Sequence, residues 1–397
     1  MSKTFHNRMS SSISRIIAWQ PVLTDHQAFT YQELSRQSGL PVQVQVARLE
    51  DETRRAQGWT DTRVTGVDRL LIPERGFLRH GLRLLLENRD QIHVFGSAFE
   101  NPRMMLLLWA ATQLRLECYI ISEPYSPVSF GYFGDRLAWR ERLKTWLRPR
   151  LYRGYMLALR GGLKGIFTIS RLAAEQYAAA GMPADRLFPF GYFVPAEPVE
   201  QPQAAVSVAS GQRLHLVFVG SLIARKGLST LISAVRRAIA SGADLQLDVY
   251  GPGDPAGFDF DGERVRQGGR IPFGGTQQRL TEHDLLVLPS HYDGWGVVVN
   301  EALCAGVPVL CSDQVGARVL VETFGAGKVF ARGDEQALAD LLVTLTTRPE
   351  RLQAMKSACA AAAEAIQPAR AAAYMLEVLS AEPAARAAIP SPWYRTA

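Results

Sequence analysis

Short apolar runs alternate along this chain with longer segments in which apolar side chains recur every three or four positions. Strands buried on both faces of a parallel sheet read as continuous apolar runs, and amphipathic helices carry the 3.6-residue period, so the alternation predicts parallel sheets flanked by helices. In the first half the strand candidates are Ile16–Trp19, Val42–Val46, Gln91–Phe95, Cys118–Ile121, Gly165–Ile169 and Arg186–Pro189. In the second half His215–Val219, Leu245–Tyr250, Leu285–Leu288 and Val307–Cys311 continue the series. Lys226–Ser241 sets Leu228, Leu231, Ile232, Val235 and Ile239 on one helical face, with Gly242 as a stop. From about Glu335 the chain is Ala-rich and helical.

The pattern lapses from Val194 to Gln212, where Pro, Ala, Gln and Ser replace periodic apolar residues, and this stretch reads as an interdomain linker. It divides the chain into two Rossmann-like α/β domains, residues 1–193 and 213–375, with a tail, 376–397, that crosses back to the first. A length of 397 residues agrees, because it exceeds what one hydrophobic core usually supports. No apolar run approaches a membrane span, and Met1–Ser14 lacks the apolar stretch of a secretory signal, which predicts a cytoplasmic address. Cys118, Cys304, Cys311 and Cys359 show no metal-ligand spacing and read as reduced core residues.

Three stretches of the second half turn a fold prediction into a site prediction: GSLIARKG (220–227), YGPGD (250–254) and PSHYDGWGVVVNEALCAGVPVL (289–310). Gly220 and Gly251 close strands, where a missing side chain lets a ligand approach the backbone, and Lys226 adds a cation. In the third stretch Asp293-Gly-Trp-Gly296 predicts a turn and Val297 to Ala305 a short helix, stopped by Gly306 and Pro308. A helix N-terminus presents free N–H groups to anions, so the amides of Val297 and Val298 are candidates to hold a diphosphate. Asp293 lies in the loop and Glu301 about one turn into the helix, so both carboxylates face the same ligand. No Asp-x-Asp pair stands at a strand end and no His/Cys cluster is present, so no metal site is expected.

Asp293 to Glu301 resembles the Glu-x7-Glu motif of retaining glycosyltransferases of family 4, with Asp in place of the first Glu. Pro289-Ser290, Glu301-Ala302, Gly306 and Pro308 fit the surrounding pattern. The resemblance implies a GT-B fold, two Rossmann-like domains facing across a cleft, and a nucleotide-sugar co-substrate with no other cofactor. It implies Glu301 on the donor ribose, Asp293 on the transferred sugar, and Lys226 with Arg225 on the diphosphate. Ser221 stands where many relatives have Arg. Ile271 would offer backbone contacts to the base, uridine by family frequency, although FGGTQQRLTEHDLL leaves room for only about two helical turns in that wall. Bacterial surface polysaccharide, lipopolysaccharide or glycolipid assembly is the implied setting, with a saccharide or lipid-linked acceptor.

Charge separates the halves: residues 1–198 carry a basic excess within an overall net charge of +6. Arg136 to Lys164 holds nine Lys or Arg against Glu141 alone, interleaved with Trp139, Trp146, Tyr152 and Tyr155, a pattern suited to an anionic membrane surface or to a solvated helix packing its aromatics inward. His26, beside Gln27 at a predicted helix start, and Glu123 in SEPYSP are candidate cleft or acceptor residues; a lone His is commonly structural. The basic residues form no nucleic-acid reader motif. A sugar-nucleotide epimerase or phosphorylase on the same architecture, and a non-catalytic partner in polysaccharide assembly, are the competing readings.

Overall fold

Seven strands of the N-terminal half, β1 (Ile16–Gln20), β2 (Val42–Val46), β3 (Val67–Leu71), β4 (Ile92–Gly96), β5 (Glu117–Ser122), β6 (Gly165–Ile169) and β7 (Leu187–Phe190), form one parallel sheet in the order β3-β2-β1-β4-β5-β6-β7. The computed structural model describes residues 13–49, 64–127, 139–197 and 213–394. Helices α1 (Asp25–Ser38), α2 (Phe77–Glu87), α3 (Pro102–Gln113), α4 (Trp139–Leu159) and α5 (Arg171–Ala179) connect these strands. Side chains alternate across the sheet, so each face gathers its own core. Ala18 and Val44 pack with Tyr31 and Leu34 of α1, whereas Ile17 and Trp19 pack with Leu107 of α3, Met156 of α4 and Tyr177 of α5.

The second sheet repeats the plan. β8 (Leu214–Val219), β9 (Leu245–Tyr250), β10 (Val265–Gly269), β11 (Leu285–Leu288), β12 (Val309–Ser312) and β13 (Gly327–Phe330) stand in the order β10-β9-β8-β11-β12-β13. Its helices are α6 (Leu228–Ala240), α7 (Thr276–Leu280), α8 (Val297–Cys304), α9 (Arg318–Phe324), α10 (Glu335–Thr347), α11 (Pro349–Ala365) and α12 (Pro368–Ser380). In both sheets the chain winds outward from a central strand and then restarts on its other side. The reversals lie between β1 and β4 and between β8 and β11, where successive loops diverge and leave a crevice at the carboxyl ends of the strands.

β3, β10 and β13 escape the apolar pattern, and all three are edge strands. β3 reads VDRLL and is largely exposed, since an edge strand answers to one neighbour. The predicted strand Val307–Cys311 starts two residues later, at Val309. Lys226–Ser241 divides into a 3-10 turn, Ala224–Lys226, and α6.

Two crossings join the domains. Of the predicted linker, 198–212 lies outside the described residues, but its start is strapped down: Glu197 N donates to Gln277 Oε1 (3.0 Å) and Gln277 Nε2 donates to Pro195 O (2.8 Å). The return crossing comes at Gln367-Pro368, ahead of residue 376. α12 packs along α1, Gln37 Nε2 donates to Ala369 O (2.8 Å), and Trp393 is buried against Phe193 with ring centroids 4.4 Å apart.

Trp295 wedges between the domains at Gly191, where an added Cβ would lie 2.5 Å from the indole. The indole is 2% exposed, and its Nε1 donates to Asn300 Oδ1 (2.8 Å), so it has nowhere to retreat. Gly191→Ala should therefore lower unfolding stability by about 1–3 kcal/mol, the usual cost of overpacking. A denaturant midpoint equal to the wild type's would refute the wedge. No helix among the described residues is long and apolar enough to cross a membrane. The four cysteines are free thiols, three of them buried.

Candidate functional site

The loops that leave β8 and β11 flank the reversal point of the second sheet, and three contacts stitch them together. His291 N donates to Arg225 O (2.8 Å), Arg225 Nη1 donates to Tyr292 O (2.9 Å), and Lys226 Nζ pairs with Asp293 Oδ2. Gly227 permits the approach: its φ of 69° is left-handed, and a Cβ there would collide with the Pro289 carbonyl. Arg225 ties the two loops together. It is buried, and its neighbour Lys226 pairs with Asp293 at the crevice.

The backbone of Asp293 is held on both sides: its N–H donates to Gln314 O (3.0 Å) and its carbonyl accepts from Gly316 N (3.0 Å). Gly296 then turns the chain with φ 90° into α8, leaving no side chain to cap the helix. Val297 and Val298 stand half-buried at this N-terminus, where the dipole favours an anion. Glu301 follows one turn later beside Thr276, the first residue of α7, whose hydrogen bond favours the ionised carboxyl. Burial nevertheless pushes Glu301 up to about 7, and the charge of Glu197 on the interdomain strap adds to the rise.

The remaining donor-side candidates line the same edge. Gly220 N donates to Tyr250 O (2.9 Å), which sets Gly220 and Ser221 beside Gly251. Ile271 is half-buried in the turn before α7, so the wall it forms carries only the five residues of that helix.

Across the cleft, Tyr292 Oη donates to Pro124 O of the facing domain (2.5 Å), and that domain's Glu123 carboxylate lies against Gly294, where any Cβ would strike it. Glu123 is thereby brought to the loop that carries Asp293. His26, at the start of α1, lines a small pocket with Gly191 and Tyr192; it is 6% exposed, its Nε2 is 2.9 Å from Thr24 Oγ1, and its ring lies 4.0 Å from that of Tyr192.

Sequence reasoning missed Tyr292, Trp295, Thr276 and Glu197. Tyr292 and Trp295 lie inside the stretch 289–310, where large aromatics among glycines are a usable signal for a packed loop. Nothing local marks Thr276 or Glu197, which reach Glu301 only through the fold. Among the described residues no group of three or more His, Cys, Asp or Glu is placed to hold a metal ion.

Two parallel Rossmann-like sheets facing across a cleft, with these loops at the reversal point, define a GT-B architecture. Residues 213–348 match the model of the family described as glycosyl transferases group 1. The amylovoran biosynthesis glycosyltransferase AmsK of Erwinia amylovora is 30% identical over 194 residues, 46% of this chain and 47% of that protein. A phosphatidyl-myo-inositol mannosyltransferase of Mycobacterium leprae is 31% identical over 126 residues, 30% of this chain and 34% of that protein. The chain spans about half the length of the first of these curated relatives and a third of the second. Among solved structures, Anabaena HepE in complex with UDP-glucose superposes with a TM-score of 0.62 at 14% identity, covering 92% of this chain and 99% of that one. WaaG, a glycosyltransferase involved in lipopolysaccharide biosynthesis, gives 0.59 at 15% identity over 92% of this chain and 100% of that one. At such identities the likeness is one of fold.

Proposed function

We propose that this protein transfers a sugar from a nucleotide-sugar donor, a UDP-sugar, to a saccharide or lipid-linked acceptor in bacterial surface polysaccharide, lipopolysaccharide or glycolipid assembly. The observation that carries the reading is the set Lys226, Asp293 and Glu301 around the start of α8, at the reversal point of the second sheet. The names of the relatives, which concern amylovoran and phosphatidyl-myo-inositol, and the UDP-glucose complex of HepE support the same class of donor and acceptor. The protein would work at the cytoplasmic side of a membrane, associated with its surface.

In this reading the diphosphate docks on the amides of Val297 and Val298 and on Lys226, and Glu301 accepts hydrogen bonds from the ribose hydroxyls. Asp293 accepts from hydroxyls of the transferred sugar, and Glu123 faces the same sugar from the other domain. Departure of the nucleoside diphosphate builds negative charge, which preorganised N–H groups and Lys226 stabilise more in the transition state than in the ground state. These groups serve in place of a resident metal. Transfer is with retention, the leaving phosphate taking the acceptor proton on the face of attack.

Incubation with a panel of nucleotide sugars and an extract of lipid-linked acceptors tests the proposal. UDP release that depends on the acceptor is expected. Conversion of the donor to an epimer would instead support the epimerase reading, and a protein whose thermal midpoint no nucleotide raises would sink the donor site.

Glu301 also sets a pH dependence. Ribose hydroxyls donate to the carboxylate, so binding favours its ionised form, and affinity for UDP should rise with pH up to about 7 and flatten above it. The slope below that point approaches tenfold per pH unit for one linked proton. Calorimetric titration of wild type and Glu301→Gln from pH 5.5 to 8.5 checks this, because nucleotide ionisation affects both and only the wild type should carry the additional slope.

A further inference from the structure

The Lys and Arg side chains described in the basic stretch 136–164 are exposed or half-buried, with Arg136 and the side chains of Trp139 and Glu141 outside the described residues. The second domain, by contrast, buries a cluster of charge away from the crevice. Asp248 of β9 accepts from Arg266 of β10 through Nε (2.7 Å) and Nη2 (2.8 Å), and its Oδ2 lies 3.1 Å from His283 Nε2. The other ring nitrogen, Nδ1, lies 3.0 Å from Arg279 O, in the last turn of α7. A carboxylate and a carbonyl only accept hydrogen bonds, so a ring that satisfies both carries a proton on each nitrogen. Burial opposes the charge of Asp248, yet the hydrogen bonds from His283 and Arg266 hold its carboxyl well below the usual carboxylate range. The His283 side chain is 3% exposed, so it cannot itself touch a nucleotide.

The helix that this ring holds has little stability of its own. α7 is five residues long, too short to persist without tertiary support, and the left-handed Gly274 (φ 78°) and Gly275 precede it. Its place is therefore set by its anchors. Leu280 is buried in the core with Val217 and Leu286, and Gln277 is tied to the strap at Pro195 and Glu197. His283, whose backbone N–H donates to Leu280 O (3.0 Å), fastens the carboxyl end to the sheet. At the opposite end stands Thr276, the hydrogen-bond partner of Glu301.

We propose that His283, charged and bonded to Asp248, is a positioning residue for nucleotide binding: it pins α7 to the sheet, and α7 presents Thr276 to Glu301. The pin itself stands on the hydrogen bonds, whereas its bearing on the donor rests on the transferase reading. The remaining charged groups near the ring are engaged with other partners. Arg279 lies over the Tyr250 ring (5.4 Å) and pairs with Glu282 (2.5 Å), and Asp284 accepts from His215 N (3.0 Å) and Lys356 Nζ (2.8 Å). Tyr250 meets the imidazole edge to face, with centroids 6.1 Å apart. The charge of the ring therefore answers to Asp248, and a ring short of one proton would turn a lone pair on either Asp248 or the end of α7.

His283→Gln tests the pin, because its single amide nitrogen can serve one of the two acceptors while Asp248 keeps Arg266 and the fold survives. Affinity for UDP, read by calorimetric titration, should fall about tenfold, the low end for one hydrogen bond to a charged group. Donor KM should rise by as much, with kcat near the wild type's. Thr276→Val removes the hydroxyl directly and should weaken UDP to a similar degree. The double variant should bind no more weakly than Thr276→Val alone, since the ring acts through that hydroxyl. Hydrogen exchange at the α7 amides should quicken in His283→Gln. Nitrogen NMR of the ring, identified by its absence from this variant, should show protons on both nitrogens wherever UDP affinity is full. A folded His283→Gln that binds UDP as the wild type does would overturn the proposal. So would losses that add in the double variant, a lowered Tm with unchanged affinity, or a ring that sheds one proton without loss of affinity. If the wild type binds UDP and α7 exchanges alike in both proteins, the pin falls and the transferase reading stands. If no nucleotide raises the wild type's Tm while α7 exchange still quickens in the variant, the pin stands and the transferase reading falls.

Discussion

Glu301→Ala should lower kcat/KM for nucleotide-sugar turnover by roughly a hundredfold to a thousandfold, the loss of two hydrogen bonds to a charged group at about 1.5–3 kcal/mol each. The variant should remain folded, and its stability separates the functional reading from a structural one. The folded-state value of Glu301, about 7, lies above that of a free carboxyl, because burial and Glu197 oppose its charge. Ionising it therefore costs stability, a cost absent below about pH 4 and complete above about pH 7. Removing the carboxyl should leave Tm unchanged in acid and unchanged or higher at pH 8. A folded variant with near-normal turnover would sink the assignment, and a variant that loses activity together with Tm would make Glu301 a structural residue.

Lys226→Ala is the second large effect. The Lys226 and Asp293 side chains are only 16% and 12% exposed, so the substitution strands a carboxylate in a site that water reaches poorly. Breaking a fully buried pair costs roughly 3–5 kcal/mol, and this partly exposed pair should fall at the low end of that range. Turnover should drop further than stability, by roughly 10²–10³ in kcat, because the stabilising charge opposite the leaving diphosphate is lost. Adding Asp293→Asn tests the division of labour. The double variant should recover much of the lost stability and none of the kcat, and recovery of turnover would show that Lys226 serves only to neutralise Asp293.

The positions of these two effects were legible to different degrees. Apolar runs located β1, β2, β4 to β9, β11 and β12, because strands covered on both faces are written in Val, Ile, Leu and Phe. β3, β10 and β13 were invisible, since an edge strand gains its identity from the neighbour it pairs with. The stretch 289–310 could be read directly, because tight turns and close packing demand glycine and a helix N-terminus announces itself in the turn before it. Gly296, the start of α8 and the spacing of Asp293 and Glu301 follow from local geometry alone.

Contacts across long stretches of chain were settled only by tertiary structure. Arg225 and Lys226 are neighbours with the same charge in sequence, yet the approach of two loops buries one as a brace and turns the other to Asp293. Tyr152 and Trp146 belong to one basic aromatic helix, yet packing on Phe99 draws the first inward and leaves the second on the outer face. Glu197 bears on Glu301 because the interdomain strap is pinned by Gln277. Periodicity and turn chemistry act between residues a few positions apart, so the chain determines by itself its elements and the helix start at Val297. Burial, pairing and charge regulation are set by whichever distant elements the fold brings alongside.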